Sequence, residues 1–279
     1  MSQRTDLAEE AQALWQRSAG KTTTLPGVKA REWEENGVPR QRVEILDPEG
    51  AEALGKPQGC YDTLWTPPDS RPSDDLADAL AGVISGQLRL RQDSRVLVVA
   101  LGNEAMTPDA IGPMSARGLL VTRHLRAMMP ELFGDLREVS VLIPGVLGMT
   151  GIESAGIVRS VVEDIRPDRV LVVDALAAGE GSRLCRVIQV TDAGIVPGSG
   201  VGNSRQPLSQ KTLGVPVVAV GAATVMDAGT TDEPLLVTHR DVDERVKRLS
   251  SLISAGINRA LFDGMTKGEI AQFVGIWGT

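Results

Sequence analysis

The sequence is poor in the residues that most often build disulfides, metal sites and aromatic clusters. It contains two cysteines, two histidines, one tyrosine and three phenylalanines in 279 residues. Cys60 and Cys185 match no metal-ligand spacing, and His124 and His239 are too few for a histidine-rich metal centre. A secretory signal and an apolar run of membrane-spanning length are also missing. We therefore expect a reduced, cytoplasmic protein with no membrane partner.

Positive charge is scarce as well. The chain has 29 Lys and Arg against 36 Asp and Glu, which gives a net charge of −7. Direct binding to nucleic acid needs a basic surface, so this balance argues against a nucleic-acid partner. Apolar residues make up 42% of the chain, which is enough for a sizeable core. No repeat or low-complexity tract divides the sequence, and we expect a single domain over residues 1–279.

Apolar runs too short for a membrane span predict the strands of a buried sheet. They cover residues 95–101, 138–143, 169–176, 185–190 and 215–221. Helical patterns precede, separate and follow them at residues 74–90, 114–127, 152–165 and 241–262. Strands that are apolar throughout are typical of parallel sheets covered by helices. The sequence therefore predicts an α/β fold with a mostly parallel sheet flanked by helices on both faces.

Residues 19–72 differ from the rest of the chain and predict an appendage within the domain. Two alternating segments flank Asn36 and Gly37, a pair that favours a tight β-hairpin. Tyr61 and Trp65, followed by several prolines, indicate an irregular connector. Such a connector either covers a site or packs on the core.

Two aspartates stand at the ends of predicted strands. Asp109 lies in the loop between a strand and a helix, where an Asp is more often a helix N-cap than a catalyst. Asp174 interrupts an apolar strand, and a buried carboxylate there needs a partner or a shifted pKa. Because the ends of parallel strands converge on one crevice, the two residues together predict a functional site.

A glycine-rich segment, residues 194–203, raises the question of phosphate binding. Asn203 stands where the dinucleotide motif needs its last glycine, and no Gly-Lys-Ser/Thr sequence follows. The segment therefore predicts a backbone that closely approaches a substrate or another loop.

Two acidic residues, Glu153 and Asp6, match helix-capping patterns as well as being candidates for a functional role. Glu153 follows Thr150 at the spacing of a capping box, so capping of the helix at 152–165 is its first interpretation. Asp6, with Glu9 three residues later, matches the start of an N-terminal amphipathic helix.

Several segments, taken in order, resemble the spore germination protease family. They are residues 4–8, Gly102 and Asn103, residues 107–113, residues 121–125, residues 144–146, residues 150–153, residues 174–178 and residues 197–203. The match runs over nearly the whole chain, and the longer motifs are specific. It implies a phosphorylase/hydrolase-like fold and an atypical aspartic endopeptidase.

The resemblance implies an activity and its residues. The family degrades the small, acid-soluble, DNA-protecting proteins of spores at germination, and its catalytic aspartates fall on Asp109 and Asp174. Hydrogenase-maturation endopeptidases are similar in fold and contact nickel with help from a histidine. No histidine motif matches here, so we expect a metal-free enzyme without a cofactor. The place of action would be the cytoplasm of the forespore, the later spore core.

The resemblance also implies assembly and processing. Family members form homotetramers and are made as zymogens that lose a short N-terminal segment. Processing would fall near Asp6 and Leu7, and because the motif begins at Arg4 we expect that segment to be shortened or absent.

The two carboxylates predict a mechanism in which they share one proton and activate water. Residues expected to bind substrate or stabilise the oxyanion are Gly102, Asn103, Glu153, Gly198, Ser199, Gly200, Gly202 and Asn203. Two alternatives stay open. A metal-dependent peptidase would use both aspartates as ligands, and a non-catalytic binding or maturation protein would share only the fold.

Overall fold

The computed structural model describes residues 5–18, 25–67, 73–202, 205–229 and 235–277. Within these ranges the strands are β1 (Val28–Glu35), β2 (Val38–Ile45), β3 (Gly59–Trp65), β4 (Val96–Ala100), β5 (Val139–Leu142), β6 (Arg169–Ala178), β7 (Val187–Thr191), β8 (Val217–Asp227) and β9 (Leu236–Val237). The helices in the same ranges are α1 (Ala8–Ser18), α2 (Pro48–Leu54), α3 (Asp74–Leu88), α4 (Ile111–Ala116), α5 (Arg123–Met128), α6 (Pro130–Phe133), α7 (Leu147–Thr150), α8 (Ser154–Ile165), α9 (Gln210–Leu213), α10 (Val242–Leu261) and α11 (Lys267–Trp277).

One continuous sheet runs through the molecule in the order β1-β2-β3-β7-β8-β6-β4-β5, with β9 paired to β8. Strands β8, β6, β4 and β5 are parallel, and we call them the parallel half. Strands β1, β2, β3 and β7 pair in antiparallel fashion and form the antiparallel half. The predicted α/β class is confirmed, and all the predicted core strands are present.

Helices cover both faces of the parallel half, as predicted. On one face α3 and α10 pack on the sheet through residues such as Ile84 and Ile253. On the other face α8 contributes Val158 and Val162. Gly256 lets α10 approach α3, since a Cβ there would lie 2.8 Å from the side chain of Leu80. The parallel half is therefore buried on both sides, as its largely apolar strands require.

The β-hairpin is confirmed at its predicted turn. Asn36 and Gly37 have φ angles of 52° and 74° and join β1 to β2 as a type I′ turn. The predicted irregular connector is wrong for the residues around Tyr61, which form β3 and pair with β7. Two polar residues in its middle, Asp62 and Thr63, conceal the strand in the sequence. The appendage thus extends the main sheet, while residues 19–24 and 68–72 lie outside the described ranges.

The single helix predicted over residues 114–127 is wrong, because α4 ends at Ala116 and α5 begins at Arg123. A side chain from α10 replaces the missing helical hydrogen bonds. Asn258 Oδ1 accepts from the Leu120 amide at 3.0 Å, and Asn258 Nδ2 donates to the Gly118 carbonyl at 2.8 Å. The break depends on this tertiary contact, which no local pattern reveals.

Candidate active site

Asp174 lies in the middle of the sheet, on β6, beside Gly221 of β8. Only 6% of it is exposed, and its Oδ1 accepts a hydrogen bond from the Ala175 amide at 2.9 Å. Burial, and then the negative charge of Asp109, raise the pKa of Asp174 well above its usual range. The charge of one predicted site residue, Asp109, therefore acts on the other, Asp174.

The chain reaches Asp109 by folding back over the end of β4. The Leu101 amide donates to the Val173 carbonyl at 2.8 Å, so the chain still follows β6 one residue before it turns. Gly102 turns it with a φ of 117°, and a Cβ there would lie 1.9 Å from the Asp109 carbonyl oxygen. Only glycine fits both the angle and the space. Gly102 thus brings Asp109 back to the strand ends.

Contacts from the loop after β4 and from β8 hold the turn that carries Asp109. Asp109 Oδ2 accepts from the Asn103 amide at 2.8 Å, and the Thr224 hydroxyl of β8 donates to the Pro108 carbonyl at 2.6 Å. Burial raises the pKa of Asp109, while the Asn103 amide acts in the opposite direction. The N-cap alternative is wrong, because Ala110 occupies that position of α4. The Asn103 amide donates to Asp109 and orients it, so this amide is not free to donate to an oxyanion.

Asp6 lies at the far end of β6 instead of capping α1. Its amide donates to the Ala177 carbonyl at 2.8 Å, and its Oδ2 accepts from the Ala177 amide at 2.9 Å. Its Oδ1 accepts from the Ser199 hydroxyl at 2.6 Å. The predicted capping role is therefore wrong. Leu7 is fully buried beside Leu176, so cleavage at Asp6 and Leu7, which stays a prediction, would need this segment to leave its place.

The glycine-rich segment approaches other parts of the chain closely, as expected. Gly198 and Gly202 adopt left-handed conformations on either side of a 3-10 helix, Ser199–Val201. A Cβ on Gly200 would lie 2.3 Å from Asp6 Oδ2. The amides of Ser199 and Gly202 are engaged in turns of the loop itself. Asn203 lies outside the described residues.

Glu153 does not form the predicted capping box. Thr150 ends α7, and its hydroxyl accepts from the Ile152 amide at 3.1 Å, so it does not begin α8. Glu153 precedes α8 but makes no side-chain capping bond. Its Oε1 lies 3.8 Å from Arg205 Nη1, just beyond the glycine-rich segment. The structure therefore places Glu153 near Arg205, two residues beyond that segment.

A cavity of about 730 Å³ opens on the face of the sheet that carries Asp174. Leu176 and Gly221, which flank Asp174 along and across the sheet, line it. Asp6 and Ser199 form part of its wall. A second cavity, of about 830 Å³, lies between α1 and the hairpin. Neither cavity is lined by Asp109 or Asp174, but the first reaches Leu176 and Gly221, the neighbours of Asp174.

Two polar residues of this cavity were not identified from the sequence. Gln189 is buried in β7, accepts from the Ala8 amide at 2.8 Å and donates to the Asp6 carbonyl at 3.2 Å. A polar residue inside an apolar strand was its signal, the same signal that marked Asp174. Lys56 Nζ donates to the Thr5 carbonyl at 2.6 Å, and burial lowers the pKa of Lys56. Nothing in the sequence around Lys56 marked it.

Across the ranges that the structure describes, no three His, Cys, Asp or Glu side chains group as metal ligands. No helix in those ranges is long and apolar enough to cross a membrane.

The fold is that of an α/β protein in which Asp109 and Asp174 both have a raised pKa, as groups that carry out general acid–base chemistry often do. Comparison with known proteins gives the family. The family model for germination proteases matches residues 4–233. The germination protease of Caldanaerobacter subterraneus subsp. tengcongensis is 39% identical, over 97% of this chain and 98% of that protein. The chain belongs to the germination protease family and is a peptidase.

Other relatives agree. The germination protease of Priestia megaterium is 41% identical, over 92% of this chain and 73% of its own length. That of Bacillus subtilis is 38% identical, over 99% of this chain and 80% of its own length. Among solved structures, a NiFe hydrogenase maturation protease from Thermococcus kodakarensis matches at 21% identity with a TM-score of 0.36, covering 63% of this chain and 99% of that one.

Proposed function

We propose that this peptidase cleaves the small, acid-soluble proteins of spores and that Asp109 and Asp174 activate the attacking water. The observation that carries the dyad is the placement of the two carboxylates around the end of β4. Asp174 lies on β6 one residue past its last pair with β4, Asp109 lies in the turn Thr107–Asp109 after β4, and the charge of Asp109 raises the pKa of Asp174. Two carboxylates held close together share a proton more readily than they both ionise.

The two environments suggest a role for each residue. Asp174 is the more deeply buried and holds the shared proton. Asp109, whose charged form is stabilised by the Asn103 amide, acts as the base. Asp109 takes a proton from water as the oxygen attacks the scissile carbonyl. Asp174 polarises that carbonyl, and a proton then passes to the leaving amine as the peptide bond breaks. The pair titrates as one unit.

This mechanism requires a bell-shaped dependence of kcat/KM on pH. At low pH both carboxyls are protonated and no base remains, and at high pH both are ionised and no acid remains. Because the pKa of each residue is raised, we expect the low-pH limb to lie above about 4, the ordinary value for Asp. A single limb across the stable pH range would contradict the shared proton.

The decisive experiment assays Asp109→Asn and Asp174→Asn on a purified spore protein, with fragments identified by mass. We expect each variant to lose about 10² to 10⁴ in kcat. Asp93→Asn, an exposed aspartate on the connection between α3 and β4, serves as the control and should be unchanged. Near-normal cleavage by either dyad variant would overturn the proposal. Loss of wild-type activity with a chelator and recovery with a divalent ion would favour the metal-dependent alternative.

The proposal includes the assembly, location and processing that the family resemblance implies. We expect a homotetramer in the cytoplasm of the forespore or spore core, made as a zymogen, with neither nucleic acid nor membrane as a direct partner. Light scattering at several concentrations tests the tetramer. Mass analysis of protein from dormant and germinating spores tests processing near Asp6 and Leu7.

A further inference from the structure

A buried glutamine side chain holds the main chain of the N-terminal segment. Gln189 lies in the middle of β7 and is only 4% exposed. Its Oε1 accepts from the Ala8 amide at 2.8 Å, and its Nε2 donates to the Asp6 carbonyl at 3.2 Å. The carbonyl of one residue and the amide of the second residue after it point the same way in an extended chain. Both partners are peptide groups, so the contact does not depend on the side chains of residues 6 and 8.

Gln189 and Asp174 stand in one row across the sheet. Gln189 of β7 pairs with Gly221 of β8, and Gly221 pairs with Asp174 of β6. Paired residues point to the same face and neighbouring strands lie about 4.8 Å apart, so the two polar residues share a face at about 10 Å. The cavity that Gln189 and Gly221 line opens on this face. An extended chain held by Gln189 can reach Asp174 within about three residues.

The N-terminal segment shows that a chain bound at Gln189 passes close to Asp174. The Asp6 amide donates to the Ala177 carbonyl at 2.8 Å. Ala177 is the third residue after Asp174 on β6. The negative charge of Asp6 also acts on Asp174 and contributes to its raised pKa. The segment therefore crosses from β7 to β6 on the face that carries Asp174.

Helix α1, which follows this segment, is fastened to the end of β6 by its own side chains. Glu10 accepts from the Gly179 amide at 2.6 Å and from the Glu180 amide at 2.9 Å. Glu9 forms an ion pair of 2.5 Å with Arg183, whose side chain is largely buried. Charged hydrogen bonds to backbone amides are among the stronger contacts in proteins. Removal of the residues before α1 therefore leaves the helix in place.

Cleavage between Asp6 and Leu7 would free one half of the Gln189 amide and keep the other half engaged. Ala8 stays on Oε1 because α1 stays, and this contact holds the side chain in its present orientation. Nε2 loses the Asp6 carbonyl. A buried N–H donor without an acceptor is unfavourable, so the cleaved protein presents a donor that a new carbonyl would satisfy.

We propose that Gln189 is a substrate-binding residue of the processed peptidase, and that its Nε2 donates to a main-chain carbonyl of the substrate in place of the Asp6 carbonyl. This inference rests on the proposed function. The substrate that fits is an extended, unfolded stretch of polypeptide, because the contact is with the backbone. The scissile bond then lies about three residues from the bound carbonyl, where Asp109 and Asp174 act on it.

Loss of the donor should weaken substrate binding without slowing the chemical step. Gln189→Glu keeps the shape and the acceptor for the Ala8 amide but loses the donor. We expect its KM to be about tenfold higher, with kcat within about twofold of wild type. Gln41→Glu on β2 is the matched control, because Gln41 also reaches α1, through Gln12 at 3.4 Å, but lines the other cavity. Its KM should equal that of wild type.

A change in the substrate locates the contact. In a series of peptides covering the cleaved segment of a spore protein, a trans-alkene replaces one peptide bond at a time and removes its carbonyl. At one position, about three residues from the scissile bond, wild type should lose about tenfold in kcat/KM. Gln189→Leu should lose nothing further at that position, because the partner of the carbonyl is already gone. If Gln189→Leu does not fold, Gln189→Glu takes its place.

These assays use the full chain after its own cleavage, with the new N-terminus identified by mass. Wild-type KM in Gln189→Glu would overturn the proposal, and so would identical alkene profiles in wild type and Gln189→Leu. Full activity of a chain that still carries Asp6 would also overturn it, because Nε2 is then occupied. Such results leave the dyad intact. Activity in Asp109→Asn or Asp174→Asn would instead remove the proposed function, whatever the Gln189 variants do.

Discussion

The two halves of the sheet each bury an aspartate, and the two aspartates have opposite electrostatic surroundings. In the antiparallel half Asp62 is 2% exposed and accepts bonds of 2.7 and 2.9 Å from Arg42 and one of 2.8 Å from Gln87. In the parallel half Asp174 is 6% exposed and has another carboxylate as its charged neighbour. Burial alone therefore does not mark a site. Within the part of the chain that the structure describes, Arg42 neutralises Asp62, whereas the charges that act on Asp174 are those of Asp109 and Asp6.

The largest difference between the halves should appear at two glycines with positive φ. Gly102→Ala places a Cβ 1.9 Å from the Asp109 carbonyl oxygen and moves Asp109. A displacement of this kind can cost about 10² in kcat. Gly37 in the hairpin has a φ of 74° but open space around it. Gly37→Ala should cost about 1 kcal/mol of stability and no activity per folded molecule.

Peptide-cleavage rates and urea unfolding of both glycine variants measure this contrast. Comparable loss of kcat in Gly37→Ala would mean that the hairpin contributes to catalysis, and normal kcat in Gly102→Ala would mean that Asp109 tolerates displacement.

The second-largest effect should come from removing the cation beside Asp62, and it should change stability without changing activity. Arg42→Met leaves Asp62 buried with no cation, and the hydrogen bond to Asp62 that raises the pKa of Arg42 is lost. We expect the free energy of unfolding to fall by about 2 kcal/mol, less than for a fully buried pair because the Arg42 side chain is partly exposed. Arg91→Met, which breaks an exposed pair with Asp93, should change stability by less than about 1 kcal/mol. A tenfold lower kcat in folded Arg42→Met would contradict the division between the halves.

The sequence predicts the parallel half better than it predicts the cavity. Long apolar runs identify β4 and β6, and Asp174 stands out because nothing else interrupts its strand. Asp6 and Glu153 were misinterpreted because both match capping patterns, which local spacing satisfies equally well. Their actual partners, Ser199 and Arg205, are distant in the chain. Tertiary contacts of this kind leave no local pattern in the sequence. The residues around Lys56 likewise give no sign of its buried position.

The smallest predicted effect concerns the stability cost of the dyad. The pKa of Asp174 is raised in the folded state, while an unfolded Asp titrates near about 3.9. Between these values the folded protein binds more protons than the unfolded chain, so stability falls as pH rises through that window and stays lower above it. Asp174→Asn removes the penalty. At pH 7 its unfolding temperature should be about 2 to 4 °C above that of wild type, which corresponds to about 1 kcal/mol of stability. This gain should vanish near pH 4.

In the antiparallel half, Asp62→Asn should change stability in the opposite direction. It removes a carboxylate that Arg42 already neutralises, so it should unfold at a lower temperature than wild type at pH 7. Thermal unfolding of the wild type and both variants at pH 7 measures the two opposite changes, and unfolding of the wild type and Asp174→Asn from pH 4 to 7 measures the pH dependence that Asp174 contributes. If the unfolding temperatures of wild type and Asp174→Asn change with pH in parallel over that range, the folded protein does not disfavour the charged form of Asp174. The contrast between the two buried aspartates would then be one of packing alone, because a carboxyl group whose pKa is raised on folding lowers stability above its unfolded pKa.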